Sequence, residues 1–324
     1  MSITTDRGGE DFARLAEPFR GELIAYGYRM LGSLDDAEEV VQDVYLDAWR
    51  AYERFEGRSS LRTWLYRIAT RAFVKALQRR TRRPLPSDLH APAADPTARV
   101  LAGESELTWL QPAPDSLLVA TTSDPATVVA ARETMRLAFV AALQLLPPRQ
   151  RAVLILRDVL GWSAAEVAAL LDLSVVAANS VLQRARSRLP ADSDSLVPPS
   201  DQRQRELLDR YVAAFQNADV AGLVAVLTED ALFEMPPFIT WFQGSAAIGA
   251  FLGPRMRAFG STRVIRTSAN GQLAVALYPA TTGGQHRLHA LHVLTLVSQG
   301  VGRIVAFQDI QALRRFELPQ VLST

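Results

Sequence analysis

Residues 163–189 read SAAEVAALLDLSVVAANSVLQRARSRL, and they carry the clearest structural pattern of the chain. Apolar side chains recur there at intervals of three and four, the spacing of helix faces buried on a core: Val167, Leu170 and Leu171, then Val175, Ala178, Leu182, Ala185 and Leu189. The pattern is interrupted by Leu-Asp-Leu, after which the hydroxyl of Ser174 is placed to cap a second helix. The stretch therefore predicts a helix-turn-helix.

The outward side of the second helix contains no acid. Its residues are Val176, Ala177, Asn179, Ser180, Gln183, Arg184, Arg186 and Arg188. In DNA-binding helix-turn-helix proteins the second helix enters the major groove, and a surface of this composition suits a polyanion. Taken alone, however, the stretch fits a helical hairpin packed in a bundle equally well, so the rest of the chain has to decide.

Composition excludes several classes of protein. The chain has 324 residues, enough for two or three domains, and 48% of them are hydrophobic. Cysteine is absent, which excludes disulfides, thiolate zinc sites and cysteine nucleophiles. The first residues lack the pattern of a signal peptide, and no uncharged apolar run reaches the ~18 residues of a membrane span. We expect a soluble, cytoplasmic protein with no membrane partner.

The net charge of +1 hides two opposite blocks, of which the first is acidic. Residues 35–47 carry six acids and no base, and four of the acids recur on one side of a predicted helix: Asp36, Glu39, Asp43 and Asp47. Such residues usually form a solvated face. Here the carboxylates repel each other without an i+4 base to relieve them, and a basic protein partner would explain why they are tolerated.

The second block, residues 61–83, carries eight bases and no acid. It predicts a helix capped by Ser59 or Ser60 whose inward residues are Leu61, Trp64, Leu65, Ile68 and Ala72. The candidate nucleic-acid contacts are Arg62, Arg67, Arg71, Lys75, Arg79 and Arg82, with the rings of Tyr66 and Phe73 expected near bases. The block favours nucleic acid, although basic helices also bind membranes and acidic proteins.

Together these blocks resemble a known family. DDAEEVVQDVYLDAW (35–49) followed by SLRTWLYRIATRAFVKALQRRTRR (60–83) is similar to region 2 of bacterial sigma factors of the extracytoplasmic-function (ECF) type. LPPRQRAVLILRDVLGWSAAEVAALL (146–171) and the helix-turn-helix resemble region 4. The resemblance implies that the acidic helix docks on core RNA polymerase. It also implies that residues 53–60 and the basic helix recognise the −10 element, and that region 4 reads the −35 element.

The resemblance also fixes what to expect of single residues. Arg71 stands where relatives commonly have Asn, and Asp172 where Gly is usual. In region 4, Arg149, Arg151 and Arg157 are expected on phosphates, which give affinity without sequence choice. Base reading is assigned to Asn179, Ser180 and Gln183. The expected −35 contacts are completed by Arg184, Arg186 and Arg188.

Between region 2 (8–83) and region 4 (126–190), residues 84–125 contain seven prolines and predict an extended linker. Within it, TWLQPAPDSLL (108–118) is too apolar for a solvated tether. We expect it to dock in a polymerase channel or on the protein's own domains. A similar segment occurs in ECF sigma factors that carry an additional C-terminal domain. After the linker, Pro125 marks the expected first helix of region 4.

Residues 201–324 form a further predicted domain after a break at 191–200. Helix faces at 207–215 and 223–227 precede strand-like segments at 231–235, 262–268, 272–279, 286–297 and 303–309. This order predicts an α+β fold with an antiparallel sheet, so the chain is multidomain, with two all-α domains followed by an α+β domain. ALFEMPP (231–237) and WFQGSAAIGAFL (241–252) resemble the SnoaL-like branch of the NTF2-like superfamily, a cone-shaped sheet around a pocket.

The acid and base groups expected in that pocket are Glu234, His286, His292 and Asp309, with the two histidines on one face of a single strand. A lone histidine in an apolar strand is more often a satisfied core residue. We therefore predict no catalytic residues, no cofactor and no metal, and expect the domain to bind a small molecule or to dock on the sigma domains and polymerase.

The sequence thus predicts a sigma factor that binds core RNA polymerase and promoter DNA and is modulated in cis by its C-terminal domain. One alternative is a one-component, ligand-responsive helix-turn-helix regulator, which would need neither the acidic nor the basic helix. A second is a SnoaL-like cyclase or isomerase fused to a DNA-binding region. The sequence does not indicate whether a separate anti-sigma factor binds the chain.

Overall fold

The computed structural model describes residues 7–104, 106–117, 132–189 and 200–322. Its contacts divide the chain into two compact units. The helical unit comprises Met1–Arg83 and Ser116–Pro190, and the mixed unit comprises Pro84–Asp115 and Ala191–Thr324. Residues 84–115, most of the predicted linker, therefore belong to the same unit as the C-terminal part of the chain.

The first half of the helical unit contains α1 (Arg7–Ala16), α2 (Arg20–Leu31), α3 (Leu34–Ala51) and α4 (Leu61–Arg79). The residues before Gly32 form two helices rather than one continuous helix. They are separated by a 3-10 turn that carries Pro18, which lacks the N–H needed to continue α-helical hydrogen bonding. Ser33 caps α3 by accepting from the Asp36 N–H. Of the two serines predicted to cap α4, Ser60 is the one that does, since its hydroxyl accepts from the Thr63 N–H.

Aromatic side chains form the core of these helices. Tyr26 stacks on Tyr66 with ring centroids 5.5 Å apart, and Phe73 meets Tyr26 edge-on at 5.4 Å. Gly27 permits this approach, because a Cβ atom there would lie 2.6 Å from the Phe73 ring. Tyr66 and Phe73 are fully buried, so the prediction that their rings lie near bases is wrong. The buried face of α4 is rotated from the predicted one, and Trp64 is only half-buried.

The second half of the helical unit contains α5 (Leu137–Leu143), α6 (Pro148–Leu154), α7 (Ala164–Leu171) and α8 (Val175–Arg186). Ser163 opens α7 with a capping box to Glu166, and Ser174 caps α8 as predicted. Asp172 ends α7 in the left-handed conformation with φ 55°, and the chain bends by 100° between the two helices. The predicted helix-turn-helix is confirmed. The helix start predicted at Pro125 lies outside the described residues.

In the mixed unit, six strands form one sheet in the order β2-β1-β7-β6-β4-β3. They are β1 (Leu227–Glu234), β2 (Trp241–Gln243), β3 (Thr262–Ala269), β4 (Gln272–Pro279), β6 (Ala290–Val297) and β7 (Gly300–Phe307), while β5 (His286–Arg287) pairs separately with β8 (Val321–Leu322). The accompanying helices are α9 (Asp201–Gln216), α10 (Val220–Val224), α11 (Ser245–Phe259) and α12 (Ile310–Leu313). The apolar faces of α9 and α11 share one core with the sheet. The predicted α+β class is confirmed.

Three details of the mixed unit differ from the predictions. The β1 and β7 strands are parallel, so the sheet is not antiparallel throughout. The segment predicted as one strand at 286–297 is two strands in different sheets, which places His286 and His292 on separate strands. The second predicted helix ends at Val224, and Leu227 already begins β1. Apolar spacing does not show where a buried segment breaks, because both pieces stay apolar.

Candidate nucleic-acid and protein interfaces

The acidic residues at the start of α3 are neutralised by bases from after α4. Asp36 is half-buried and pairs with Arg80 at 2.5 Å and with Arg83 at 2.7 Å. Arg80 also pairs with Glu39 at 2.8 Å. The expectation of an unrelieved acidic stripe is therefore wrong for Asp36 and Glu39, because tertiary contacts supply the bases that helix spacing does not.

The middle of α3 exposes both acidic and apolar side chains. Asp43 is exposed and has no base within ion-pair distance among the described residues, and Asp47 lies 3.6 Å from Arg50. Leu46 and Trp49, one turn apart, are 48% and 47% exposed. Neither was predicted as a contact from the sequence, although both lie outside the buried face of α3. An exposed apolar pair bordered by acids is typical of a protein-binding surface.

The basic residues of α4 differ in whether their side chains already have intramolecular partners. Arg62 donates from Nε to Glu22 Oε1 at 2.9 Å and from Nη2 to Oε2 at 2.9 Å, and this hydrogen bonding raises the pKa of Arg62. Lys75 and Arg79 are exposed and have no side-chain partner in the described part of the chain. Arg82 is exposed as well. A DNA contact by Arg62 would have to compete with Glu22, whereas Lys75 and Arg79 are available.

Two further bases of α4 contact the helix-turn-helix. Arg67 Nη2 donates to the Ala169 carbonyl at 3.1 Å, and Arg71 Nη2 donates to Asp172 Oδ2 at 2.7 Å. Arg71 and Asp172, where the resemblance led us to expect other residue types, pair with each other. Both side chains are mostly exposed, so the pair contributes about 0–1 kcal/mol.

The outward face of α8 is open. Asn179, Gln183 and Arg184 are exposed, as the −35 prediction requires. The Ser180 hydroxyl donates to the Val176 carbonyl at 3.0 Å, so it retains only acceptor capacity toward a base. Val176 is 76% exposed at the start of the helix, where recognition helices contact base edges. It was not among the predicted contacts, and its apolar side chain suits a thymine methyl group.

The two arginines of α6 differ in exposure. Arg149 is exposed, as a phosphate contact should be. Arg151 is 4% exposed and donates to the Leu146 and Gln144 carbonyls, both at 3.1 Å, to Gln144 Oε1 and to the Met30 carbonyl. Burial lowers its pKa to about 10. The predicted phosphate contact of Arg151 is wrong, because backbone oxygens already hold the guanidinium.

The remaining arginines expected near the −35 element have intramolecular partners. Arg157 is half-buried and donates to the Trp162 carbonyl at 2.6 Å, which supports the turn into α7. Arg186 forms a bidentate pair with Asp158 at 2.7 and 2.9 Å. Arg188 is exposed and donates to Gln150 at 3.3 Å. Arg149, Arg184 and Arg188 are therefore more accessible to phosphate than Arg157.

In the mixed unit, three of the four predicted pocket residues do not line the cavity described below. Glu234 is completely buried, with Arg303 Nε at 2.6 Å from Oε2 and the Ser87 N–H at 2.9 Å from Oε1. The buried His286 donates through Nδ1 to the Tyr278 carbonyl at 2.9 Å. Asp309 is exposed and caps α12 by accepting from the Gln311 N–H. These predictions are wrong because strand register and a helix start, neither visible in the sequence, placed the groups elsewhere.

His292 is the predicted pocket residue that does line the cavity. It is 4% exposed, and its Nδ1 lies 2.8 Å from the hydroxyl of Tyr211. Burial, with a smaller contribution from His289, lowers the pKa of His292 to about 3. The imidazole is therefore neutral at neutral pH, which makes it a hydrogen-bonding group rather than a cation.

The apolar segment of the predicted linker docks within the mixed unit. Asn270 and Gly271 form the turn between β3 and β4, both with positive φ. The Asn270 side chain accepts from the Ala113 N–H at 2.8 Å, and the Asn270 N–H donates to the Ala113 carbonyl at 2.8 Å. Asp115 accepts from the Gly271 N–H at 2.7 Å. Of the two docking sites expected for this segment, the structure has the one on the protein itself.

Among the described residues, no single helix has the length and apolar character needed to cross a membrane, and only α7 and α8 taken together as a bent pair reach that size.

Comparison with known proteins gives the same division of the chain. The Sigma-70 region 2 family matches residues 15–83, the Sigma-70 region 4 family matches residues 136–189, and the SnoaL-like domain family matches residues 208–307.

Two proteins are similar to this chain over most of its length. The chain is 48% identical over 318 residues to the ECF RNA polymerase sigma factor SigG of Mycobacterium tuberculosis, which covers 96% of this chain and 85% of that protein. It is 27% identical over 308 residues to SigJ of the same organism, with 91% and 89% covered. The crystal structure of SigJ shares the fold, with a TM-score of 0.62 at 20% identity over 96% of this chain and 99% of that one. The chain belongs to the ECF family of RNA polymerase sigma factors.

Proposed function

We propose that this chain is an alternative sigma factor that binds core RNA polymerase, directs it to a set of promoters, and is modulated in cis by its mixed unit. The observation that carries the proposal is the 48% identity to an ECF sigma factor across nearly the whole chain. The geometry supports it, since one helical unit combines a protein-binding face on α3, accessible cations on α4 and an open recognition helix α8.

The polymerase contact is assigned to the middle of α3. Asp43 supplies a carboxylate with no ion-pair partner among the described residues, and Leu46 and Trp49 supply apolar surface beside it. A basic and apolar groove on the polymerase would pair with this surface. The acids at Asp36 and Glu39 contribute less, because their charge is already offset by Arg80.

The promoter contacts are assigned to two helices. Residues 53–60 contact the −10 element together with Lys75 and Arg79 of α4. The side chains of Lys75 and Arg79 bind mainly phosphates. In α8, Asn179 and Gln183 read base edges, Val176 meets a thymine methyl, and Arg184 holds the backbone.

The helical unit is closed in this conformation, and we infer that it opens when the protein binds core polymerase and the promoter. Arg67 and Arg71 would contribute to the −10 contact, but both are engaged with the helix-turn-helix. Releasing the Arg71–Asp172 pair costs little, because it is exposed. Core polymerase supplies the binding energy for this step, in the cytoplasm where transcription takes place.

The mixed unit modulates this activity through residues 84–115. This segment follows α4 directly in the sequence, and it is held to the mixed unit by the Asn270–Gly271 turn at one end and by Glu234 and Arg303 at the other. A change in the mixed unit therefore acts on the chain that joins the two halves of the helical unit.

DNA footprinting with and without core polymerase distinguishes the sigma factor from a one-component regulator. The sigma factor gives protection at discrete sites only when core polymerase is present. The regulator would protect its operator alone, and polymerase would add nothing. Charge reversal at Asp43 with Trp49→Ala should weaken core binding more than reversal at Glu39, while leaving the helical content of the protein unchanged.

A further inference from the structure

A cavity of about 260 Å³ lies in the mixed unit between α9, α11 and the sheet. Its lining is mainly apolar and rich in aromatic rings, including Phe215, Phe233 and Phe251. Polar groups are few, and the charged and titratable ones are Arg255, His289 and His292. An apolar cavity with a small number of convergent polar groups is the usual form of a small-molecule site.

Arg255 is a cation that meets no counter-ion in the described part of the chain. Its Nη1 donates to the Phe251 carbonyl at 2.8 Å, and its guanidinium lies 3.6 Å from the centroid of the Phe251 ring. No carboxylate lies within ion-pair distance of Arg255 in the ranges that the structure describes, whereas Arg303 in the same unit is paired with Glu234. Arg255 is half-buried, and this desolvation lowers its pKa. An anion in the cavity would complete this site.

His292 supplies a second incomplete polar group on the cavity wall. Its Nδ1 is taken by the Tyr211 hydroxyl, while Nε2 has no hydrogen-bond partner among the described residues. The side chain is 4% exposed, so the imidazole lies almost entirely within the cavity wall. When Tyr211 donates to Nδ1, the neutral imidazole carries its proton on Nε2 and offers a donor to the cavity.

We propose that this cavity binds an aromatic carboxylic acid of about two fused rings, with the carboxylate on Arg255 and the rings among Phe215, Phe233 and Phe251. The size follows from the volume, since an apolar cavity of roughly 150 Å³ accepts benzene. The aromatic character follows from the lining, because phenylalanine and neutral histidine rings favour offset and edge-to-face contacts with another ring. The negative charge follows from the uncompensated guanidinium, which pairs with carboxylates through two parallel hydrogen bonds.

One residue of the cavity wall belongs to residues 84–115, the segment that joins the two halves of the helical unit in the sequence. Val100 lines the cavity, and its neighbour Leu101 is fixed by the Thr240 hydroxyl at 2.8 Å and by the Ile239 N–H at 2.9 Å. A bound acid would therefore touch this segment directly. That ligand binding would alter transcription rests on the proposed function, whereas the binding itself does not.

Isothermal titration calorimetry of the full-length protein with 2-naphthoate and with its neutral analogue 2-naphthamide tests the proposal. The wild type should bind the carboxylate more tightly than the amide. Arg255→Gln should weaken naphthoate binding by about tenfold or more, the value of a charge-assisted hydrogen bond, and should change naphthamide binding by less than about threefold. Arg255→Lys, which keeps the charge, should retain part of the preference.

Arg257→Gln is the matched control, since Arg257 is exposed on the same helix and does not line the cavity. It should leave both affinities unchanged. Equal binding of acid and amide by the wild type, an unchanged affinity in Arg255→Gln, or the absence of heat with both probes would each overturn the proposal. None of these results depends on polymerase, so footprinting and calorimetry separate a failure of the ligand site from a failure of the sigma function.

Discussion

The two units bury charge in opposite ways. In the helical unit, Arg29 and Arg151 are both 4% exposed, and neither meets a carboxylate among the described residues. Their guanidinium groups donate to backbone carbonyls and to the side chains of Thr134 and Gln144. In the mixed unit, the buried Glu234 is matched by Arg303, and His292 is kept neutral. Burial lowers the pKa of Arg29 and Arg151 to about 10, so both remain charged.

This difference indicates which unit can open. Arg29 reaches from α2 to Thr134, and Arg151 reaches from α6 to the Met30 carbonyl, so both lie where the two halves of the helical unit meet. If the halves separate, each arginine returns to water and leaves no acid stranded, which limits the cost of opening. In the mixed unit, separating Arg303 from Glu234 would strand a buried carboxylate, so that contact favours staying closed.

The largest effect is expected from breaking the matched pair of the mixed unit. Arg303→Met should destabilise that unit by about 3–5 kcal/mol, because Glu234 would be left as an unpaired buried charge. Native-state hydrogen exchange, read on peptides of each unit, measures the change separately for the two units. Adding Glu234→Met should recover most of the loss. A single variant with wild-type exchange would contradict the description of Glu234 as a buried, paired carboxylate.

A smaller loss is expected at the corresponding site of the helical unit. Arg151→Met should cost about 2–4 kcal/mol, since it removes the hydrogen bonds to the carbonyl oxygens of both halves but also removes a buried charge. The matched control is Arg149→Met on the same helix, which is exposed and should change stability by about 0.5 kcal/mol or less. Equal effects of the two substitutions in urea denaturation would show that Arg151 is not held as described.

The two units should also respond differently to acid. The pKa of His292 is lowered from 6.5 to about 3, so the folded state binds fewer protons than the unfolded state between these values. Stability of the mixed unit is therefore complete above pH 6.5 and falls by about 2 kcal/mol between pH 7 and pH 5. His289, also with a lowered pKa, acts in the same direction. His292→Gln should remove most of this dependence of stability on pH. Hydrogen exchange of peptides around Arg29 and Arg151 should not show this dependence.

The smallest effect on stability is expected at the exposed contact between α4 and the helix-turn-helix. Asp172→Asn keeps a residue that tolerates the left-handed conformation but removes the ion pair with Arg71, so stability should change by less than about 1 kcal/mol. If the contact holds the unit closed, transcription at limiting core polymerase should rise. Unchanged transcription would show that the ion pair between Arg71 and Asp172 does not limit the opening of the helical unit.

The sequence predicted the elements better than the partners of their side chains. Caps at Ser60 and Ser174 and the turn at Asp172 were predictable because they depend on neighbouring residues. The burial of Arg151 was not, since its spacing on α6 is compatible with phosphate contact, and its contacts with Met30, Gln144 and Leu146 exist only in the tertiary structure. Glu234, His286 and Asp309 were misplaced for a similar reason. Where each side chain points depends on strand register and on breaks that an apolar segment does not reveal.

The exposed pair on α3 shows the converse. Leu46 and Trp49 were not predicted as contacts, and their exposure is seen in the structure. The cations of Lys75 and Arg79 were predicted as accessible, and they are. Charged residues at helix positions far from the apolar face are thus the most predictable part of the interface, whereas apolar contact residues need the tertiary structure.

Run-off transcription by core RNA polymerase reconstituted with the full-length protein tests the central claim most directly. We expect transcripts from discrete start sites that require this protein, and a loss of those transcripts when Asp43 is reversed in charge together with Trp49→Ala. Footprints that form without core polymerase, or the absence of any specific transcript from a protein that is folded by hydrogen exchange, would contradict it.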